Sequence, residues 1–577
     1  MPERTLDGIE VVEASRAEQP IARTHAQRTA FVGRALRGPL DTPVLVRSFA
    51  DFQQIFGGLW QPSSLSYAVE HFFEQGGRQA VIVRVANGAA PVTITLPCEP
   101  GALTLEAIAP GTREFLRAAV DFDRIDDDDE LRFNLTVQRV RSPGSERIEA
   151  QEIFAALSCD PSDERFVKTV LAQSAMVRVR GRVPLSRPRA TLMPGTKLPG
   201  YASSNPDGDD GKPLSDYDII GSAPRRTGIF ALRGVEEIAF LYIPPLTRTT
   251  EIGVSTLLAA ERFCREQRAI LIVDPPASWD SPNAAIDGSK ALGFHSDSAA
   301  MFYPRIICTD RLRARPEVFG SGGAAAGILS RTGDLAPVIA HLPEPELLLR
   351  AGARMHREVT LADRSRLATH GINVLQSVRG TDRRRPKLRT LACGASAHAD
   401  WAYLTPRRFA LFVVDAIERG TRWSIAERCN ITVWFRLAKQ ITQFFDELRA
   451  AGAFPAAPKD QAFLVICDER INEPSPTAAE INILIQFAAS HIDSYHSFMI
   501  THTTQGSRVR PIVINRLEAS LIVSSELERE TTIRVEHGVG FLSLALCGLA
   551  CWVAVQLASW PERKLRLRVD ESRGIRR

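Results

Sequence analysis

Residues 237–276 read EIAFLYIPPLTRTTEIGVSTLLAAERFCREQRAILIVDPP. The runs EIAFLYIPP and AILIVDPP are apolar almost throughout, which is typical of strands buried on both faces of a sheet. The stretch between them, TEIGVSTLLAAERFCREQ, has the spacing of an amphipathic helix. Strand, helix and strand in this order predict a βαβ unit and hence a parallel or mixed sheet. AAMFYPRIICTD, residues 299–310, is predicted as the next strand.

The same alternation is present nearer the N-terminus, over residues 26–90. TAFVGRAL and PVLVRS predict two strands separated by the turn RGPLDT, and QAVIVRV predicts a third that is buried on both faces. The segment SLSYAVEHFFEQGG predicts a helix whose apolar residues share one face. The fold class predicted from both regions is α/β, in the mixed α+β sense.

A short aromatic helix is predicted within SFADFQQIFGG, residues 48–58. Ser48 and Asp51 have the spacing of a capping box, in which a hydroxyl and a carboxylate accept hydrogen bonds from amides at a helix start. Three phenylalanines fall at helical spacing, and two glycines allow the chain to leave through positive φ. These residues are Phe49, Phe52, Phe56, Gly57 and Gly58.

From about residue 91 to residue 200 the sequence changes character. Short β-rich runs such as PVTITLP, ALTLEAI and DELRFNLTVQRV are separated by turn residues, which predicts an inserted β-rich domain. The Gly- and Asp-rich stretch 201–215 is predicted to be a polar linker. The acidic stretch DFDRIDDDDE, residues 121–130, lacks the glycine and the distal glutamate of a calcium loop and is interpreted as a turn between strands.

Residues 401–517 return to α plus β. RRFALFVVDAIERGTRW predicts a helix that ends at Gly420, and ITVWFRLAKQITQFFDELRAAG predicts a longer helix that ends at Gly452. Three strands follow, namely QAFLVICDE, EINILIQFAA and SFMITHTT. The second alternates, with isoleucines and a phenylalanine on one side, so we expect its other side to face water or a partner. The apolar residues on the longer helix are Trp434, Leu437, Ile441, Phe444, Phe445 and Leu448.

Length and composition restrict the class of protein. A chain of 577 residues is expected to form two to four domains, and its net charge of +4 does not predict nucleic-acid binding. The nine cysteines form no CxxC pair, which argues against a zinc site or a disulfide framework. The polar N-terminus lacks the apolar run of a signal peptide.

No motif in the chain predicts catalysis. GSGGAAAG, residues 320–327, has Ala325 where a dinucleotide-binding loop needs its last glycine, so a small-residue helix start is the better interpretation. The basic stretch RGTDRRRPKLR, residues 379–389, has no interleaved aromatic residues and is interpreted as an exposed loop, or as a loop that meets an acidic protein surface. HExxH and GxSxG are absent from the sequence. We therefore predict no catalytic, cofactor-binding or metal-binding residues.

Residues 538–560, GVGFLSLALCGLACWVAVQLASW, contain no charge and precede a basic tail. This length and this flank are those of a membrane-spanning helix. The three glycines, two serines and one glutamine favour instead a buried helix within an assembly. Membrane association through this segment is kept as an alternative.

Read in order, these segments resemble one family: the contractile tail sheath proteins of phages and of related extracellular injection systems. The resemblance covers roughly residues 8–510 and is carried by the N-terminal part, GIEVVEAS to QAVIVRV, and by the block LRTLACGASAHADWAYLTPRRFALFVVDAIERGTRW. FLYIPP, ILIVDPP, FYPRI and GILSRTGD fall between them in the family's order. Residues after about Ser520 have no recognised counterpart.

The resemblance implies a multidomain sheath core with an inserted β-rich domain and extended arms at both ends. Its implied divisions are an N-terminal arm (1–25), a first part of the core (26–90), the insert (91–200), a linker (201–215), an α/β core domain (216–400), a tube-facing domain with a C-terminal arm (401–520) and an extra segment (521–577). Arms in this family add strands to a neighbour's sheet. The arm residues are expected to be Ile9, Val11 and Val12 in GIEVVEAS, and Ile512 and Ile514 in PIVINRLEASLIV.

The resemblance also implies partners and a location. Stacked hexameric rings would form a helical sheath around an inner tail tube and would contract, with baseplate and tail terminator proteins at the ends. Arg436 and Lys439 are expected to face an acidic tube, and the aromatic helix to brace the base of the N-terminal arm. The protein is expected in a virion tail, or in an injection particle assembled in the host cytoplasm. The alternatives are an α/β nucleotide-binding enzyme and a membrane-anchored adaptor.

Overall fold

The fold is described from a computed structural model. The structure describes residues 5–6, 9–10, 20–22, 28–126, 128–193, 195–196, 198–331, 346–377, 387–392, 399–427, 429–454, 462–473, 480–489 and 495–512. Expectations for Val11, Val12, Ile514 and residues 538–560 lie outside this part of the chain.

The strands, in chain order, are β1 (Thr5–Leu6), β2 (Ile9–Glu10), β3 (Arg28–Gly33), β4 (Val44–Val46), β5 (Ala80–Arg84), β6 (Thr93–Pro97), β7 (Ala102–Ala107), β8 (Leu116–Asp121), β9 (Arg132–Val140), β10 (Ile148–Ser158), β11 (Val177–Arg180), β12 (Ala202–Ser203), β13 (Ile238–Tyr242), β14 (Ile270–Val273), β15 (Ala299–Tyr303), β16 (Ile306–Asp310), β17 (Arg315–Phe319), β18 (Arg354–Met355), β19 (Ile372–Val374), β20 (Phe463–Ile466), β21 (Glu480–Ala488), β22 (Tyr495–Thr503) and β23 (Gly506–Ile512). The α-helices are α1 (Phe49–Phe56), α2 (Ser64–Glu74), α3 (Val167–Leu171), α4 (Asp216–Ile220), α5 (Val254–Gln267), α6 (Pro282–Leu292), α7 (Gly322–Ser330), α8 (Leu361–Thr369), α9 (Leu404–Gly420) and α10 (Ile431–Ala450). Short 3₁₀ turns cover Gly228–Leu232, Ala399–Ala402 and Arg422–Ala426.

A seven-stranded sheet in the order β19-β15-β14-β13-β3-β5-β4 organises the core. The predicted βαβ unit is confirmed, since β13 and β14 pair in parallel and α5 lies between them in the chain. Alternate residues of these strands enter two apolar clusters on opposite faces, Phe240 on one side and Leu241 on the other. Both faces are therefore covered, which is why the strands are apolar throughout.

Strand β3 lies in the middle of this sheet, between β13 and β5. The segments 26–90 and 216–400, separated in sequence by the insert, thus contribute to one sheet. Only β4 is antiparallel to its neighbour β5.

Helix α1 has the predicted ends. The Ser48 hydroxyl accepts a hydrogen bond from the Asp51 amide, and the Asp51 carboxylate accepts one from the Arg47 amide. Phe52 and Phe56 are fully buried in the cluster that covers one face of the large sheet. Ile21, within the segment expected to form the N-terminal arm, is buried elsewhere, in the C-terminal apolar cluster. That α1 braces the base of such an arm stays a prediction.

The predicted strand 299–310 is wrong as a single element. Residues before Pro304 form β15 in the large sheet, whereas those after it form β16 in a separate sheet with β17 and β18. Proline lacks an amide hydrogen, so a ladder readily ends beside it.

The insert has the predicted β-rich character. Two sheets, β10-β9-β8-β12 and β11-β7-β6, enclose one apolar cluster. The stretch 201–215 is not a free linker, which corrects that prediction. Asp207 accepts hydrogen bonds from the amide and hydroxyl of Thr93, Asp209 forms a bridge with Ala90, and β12 pairs with β8. The Asp207 side chain of the outgoing connection thus binds the incoming one, and the two connections form a paired neck.

The C-terminal domain packs α9 and α10 against the sheet β20-β21-β22-β23. Helix α9 ends at Gly420 as predicted, and all six residues of the predicted apolar stripe on α10 are buried. The expectation of a wet or partner-facing side on β21 is wrong. Leu484 is buried in a second small cluster with Ile466, Ile471 and Met499, and Gln486 is buried as well.

Candidate assembly surfaces

Residues 322–327 of the glycine-rich stretch form the start of α7, and every residue of this helix is buried. A Cβ atom on Gly323 would lie 2.4 Å from the Ala68 carbonyl oxygen, and one on Gly327 would lie 2.3 Å from the Phe72 carbonyl oxygen. Helices α7 and α2 therefore pack backbone to backbone. Gly323 and Gly327 allow the close approach of the two helices, which agrees with the interpretation of this stretch as a small-residue helix start.

The N-terminus of α7 is capped by a side chain of the protein itself, that of Asp274. The Asp274 carboxylate accepts a hydrogen bond of 2.7 Å from the Gly322 amide, and it also accepts one from the Tyr242 hydroxyl. Burial raises the pKa of Asp274 above its ordinary value. A carboxylate at the helix N-terminus takes the place that a phosphate would need. This arrangement disfavours a dinucleotide at this position.

The acidic stretch 121–130 forms the turn between β8 and β9, as predicted. Its carboxylates accept hydrogen bonds from nearby protein groups: Asp129 accepts from the amides of Leu131 and Arg132, and Asp121 accepts from the Asn134 side chain. Among the residues that the structure describes, no group of three acidic, histidine or cysteine side chains is placed to hold a metal ion.

The basic stretch 379–389 lies mostly outside the described residues. Of its cations, Lys387 and Arg389 are described, and both lie over the Tyr403 ring, at 5.1 and 4.1 Å from its centroid. One aromatic side chain, that of Tyr403 at the N-cap of α9, thus contacts this stretch, although no aromatic residue occurs within it.

The predicted arm residues are only partly described. Ile9 lies in β2, which pairs with β1 in a two-stranded ribbon through Leu6 and Ile9. Ile512 ends β23 and pairs with Ser497, so it belongs to the chain's own sheet, where the sequence analysis had placed the start of an arm.

The C-terminal sheet ends in two edge strands. Within the described residues, β20 pairs only with β21, and β23 pairs only with β22. Arg508 and Arg510 on β23 are exposed. An edge strand presents amide and carbonyl groups that can pair with another chain.

The outer face of α10 differs from the predicted basic surface. Lys439 is exposed, as expected for a contact residue. Arg436 is half-buried, lies 4.8 Å from the Trp423 ring centroid and forms an ion pair with Glu427. Phe435, one turn before Lys439, is 68% exposed, and Ile431 is 62% exposed. Amphipathic periodicity did not predict that Phe435 and Ile431 are exposed, because the solvent-facing side of a helix normally carries polar side chains.

Ion pairs join the C-terminal domain to the core. Arg268, at the end of α5, lies 3.2 Å from Asp415 and 3.6 Å from Glu418, both on α9. Arg419 of α9 lies 2.9 Å from Glu237, which immediately precedes β13. These side chains are at most 20% exposed. Partly buried pairs with several partners constrain geometry more than isolated surface pairs do.

Among the helices in the part of the chain that the structure describes, none is both long enough and apolar enough to cross a membrane.

Comparison with known proteins identifies the fold. A sheath tail protein from Listeria innocua covers 85% of this chain and 98% of its own length, with a TM-score of 0.56 and 11% sequence identity. A sheath tail protein from Desulfitobacterium hafniense covers 88% of this chain and all of its own, with a TM-score of 0.47 and 11% identity. No protein-family model matches the sequence, and no curated protein matches it. The first likeness establishes that this chain has the fold of a tail sheath protein.

Proposed function

From this shared fold, we propose that the chain is the structural subunit of a contractile sheath. In this proposal it polymerises as stacked hexameric rings around an inner tube and contracts to drive that tube through a cell envelope. The observation that carries the proposal is the match to nearly the whole length of a sheath tail protein. The protein then belongs to a phage tail or to an injection particle assembled in the cytoplasm, and it has no catalytic role.

The arms supply the links between subunits in this proposal. Residues Ile9, Val11 and Val12, and the chain from Ile514 onward, add strands to sheets of neighbouring subunits. The edges of β20 and β23 favour the C-terminal sheet as the acceptor, since each lacks a second partner within the described residues. Strand addition saturates backbone donors and acceptors with directional bonds and so survives rigid-body movement of the subunits. Ile21, buried against α9, connects the N-terminal arm mechanically to this domain.

The face of α10 that carries Phe435 and Lys439 is proposed to contact the inner tube. An exposed aromatic residue beside a lysine suits a partner with a small apolar recess and an acidic rim. Arg436 contributes less than the sequence predicted, because it already pairs with Glu427. Baseplate and terminator proteins would contact the end rings.

Sedimentation velocity of the purified full-length chain tests the proposal. We expect species far larger than a single ring, whose proportion increases with protein concentration. A monomer at all accessible concentrations would contradict polymerisation as an intrinsic property of this chain.

Nucleotide binding distinguishes the enzyme alternative. We expect ATP, GTP and NAD at millimolar concentration to leave the thermal unfolding temperature unchanged, because Asp274 occupies the helix end that would hold a phosphate. A site filled at about 100 times its Kd would add about 2.7 kcal/mol of stability. A clear increase in unfolding temperature with any of the three would favour the enzyme.

A further inference from the structure

The insert carries an apolar hairpin at one edge of its larger sheet. Leu192 and Pro199 form a bridge, the Met193 amide donates to the Leu198 carbonyl, and the Thr191 amide donates to Val120 of β8. The hairpin therefore extends the sheet on the β8–β12 side. Its large apolar side chains are exposed: Leu198 by 61%, Leu192 by 51% and Met193 by 50%. Clustered exposure of this kind marks an interaction surface.

The opposite edge of the same sheet is β10, an eleven-residue strand. Among the described strands it pairs only with β9, in a ladder that is bulged near Ile148 and Phe154, and Ser158 at its end forms a bridge with Phe166. Ile153 is 66% exposed and Ile148 is 44% exposed, and the strand contains neither lysine nor proline. Natural proteins usually protect long edge strands with such residues. Glu149 offers little protection, since it forms an ion pair with Arg37 of the core.

The two edges differ in charge. Residues 181–200 contain four basic residues and no acidic one, and of these Arg189 pairs with Glu99. Ile148–Ser158 contains two acidic residues and no basic one, and of these Glu149 pairs with Arg37, which leaves Glu152. Opposite charge on two surfaces favours their association and sets its direction. Because every copy carries both surfaces, the two surfaces can meet between two copies in a head-to-tail contact.

We propose that the insert mediates a direct contact between neighbouring copies of this chain. The hairpin residues Leu192, Met193 and Leu198 of one copy lie against the β10 edge of the next, beside Ile148 and Ile153. This contact is separate from strand exchange by the arms, and it rests on the proposed function only in requiring that copies assemble. Arg84 of β5 donates a hydrogen bond to the Pro110 carbonyl, and Arg37 of the core forms an ion pair with Glu149, so the insert is attached to the core and the contact links the cores as well.

Cysteine cross-linking of the full-length chain tests this contact. The double variant Ile153→Cys/Leu198→Cys is oxidised at a concentration that supports assembly. We expect a ladder of covalent multimers, because each copy offers one cysteine to each neighbour. The two single variants are the matched controls and should remain monomeric on denaturing gels. A dimer from Leu198→Cys alone would indicate a two-fold contact and overturn the proposed direction.

A charge substitution provides a second readout. Met193→Asp/Leu198→Asp should raise the concentration needed for pelleting by at least about tenfold, since a carboxylate in an apolar contact is costly. Leu361→Asp, at a residue that is 66% exposed on α8, is the control and should not change it. This contact alone would be refuted if Met193→Asp/Leu198→Asp forms polymers normally and Ile153→Cys/Leu198→Cys gives no cross-link. A ladder of covalent multimers without hollow cylinders in electron micrographs would support the contact and contradict the proposed sheath. If neither the ladder nor the cylinders form, both the contact and the sheath are contradicted.

Discussion

Replacing Gly323 with alanine is expected to lower the free energy of unfolding of the core by about 3 kcal/mol. The added Cβ would lie 2.4 Å from the Ala68 carbonyl oxygen and 3.0 Å from the Ala68 Cα and carbonyl carbon. All three are backbone atoms, so no rotamer change can remove the clash, and helices α7 and α2 must separate. Urea denaturation of the purified variant, followed by circular dichroism, measures the loss.

A control variant at Gly144 distinguishes the effect of this helix packing from the cost in stability of replacing any glycine that has positive φ. Gly144 lies in a turn of the insert at a φ of +74°, and no atom lies within 4 Å of a Cβ built there. Gly144→Ala should therefore cost only about 1 kcal/mol, from backbone strain. Equal losses at the two positions would mean that close packing of α7 on α2 is not what requires Gly323.

Removing the Arg84 guanidinium is the second large effect that we expect. Arg84 is 1% exposed and donates hydrogen bonds to the carbonyls of Ala35, Gly38 and Pro110. Burial lowers its pKa to about 10, so it stays charged at neutral pH. Arg84→Met would leave three carbonyls without this donor and should cost about 3 kcal/mol. It should also loosen the insert, because Pro110 belongs to the insert and Arg84 to β5.

Limited proteolysis measures that loosening directly. We expect Arg84→Met to be cleaved faster near residues 86–92 and 205–212, where the neck joins the insert to the core. Arg182→Met is the control: Arg182 is exposed on the insert, so its replacement should change stability by no more than about 0.5 kcal/mol. Unchanged cleavage in Arg84→Met would show that the neck is held by its other hydrogen bonds.

Strong local patterns made much of the fold predictable. The runs around Phe240 and Ile270 are apolar throughout because the large sheet is covered on both faces. The helix start at Ser48 followed from side-chain capping, and the helix end at Gly57 followed from the ability of glycine to adopt positive φ. Helix α9 also ends at Gly420, although this glycine is itself helical and Thr421 is the cap. The long apolar stripe on α10 was evident from its period of 3.6 residues.

Features that depend on contacts distant in sequence were missed. The Asp-rich stretch 201–215 has the composition of a free linker, yet Asp207 binds Thr93, 114 residues away. The second face of β21 is polar enough to suggest solvent, but Leu484 is buried by Met499 and Ile471. Helix polarity placed Arg436 on an open face, whereas Trp423 and Glu427 hold it within the chain. Composition cannot distinguish a polar group that binds water from one that binds the protein.

Negative-stain electron microscopy of the purified full-length protein, beside a version that lacks residues 1–20, tests the central claim most directly. A contractile sheath subunit linked through its N-terminal arm should give striated hollow cylinders in the full-length sample and none in the truncated one. Cylinders in both samples would support sheath assembly but would contradict the proposal that the N-terminal arm is the essential link between subunits. Uniform small particles in both samples at high concentration would contradict the proposal that this chain builds a sheath.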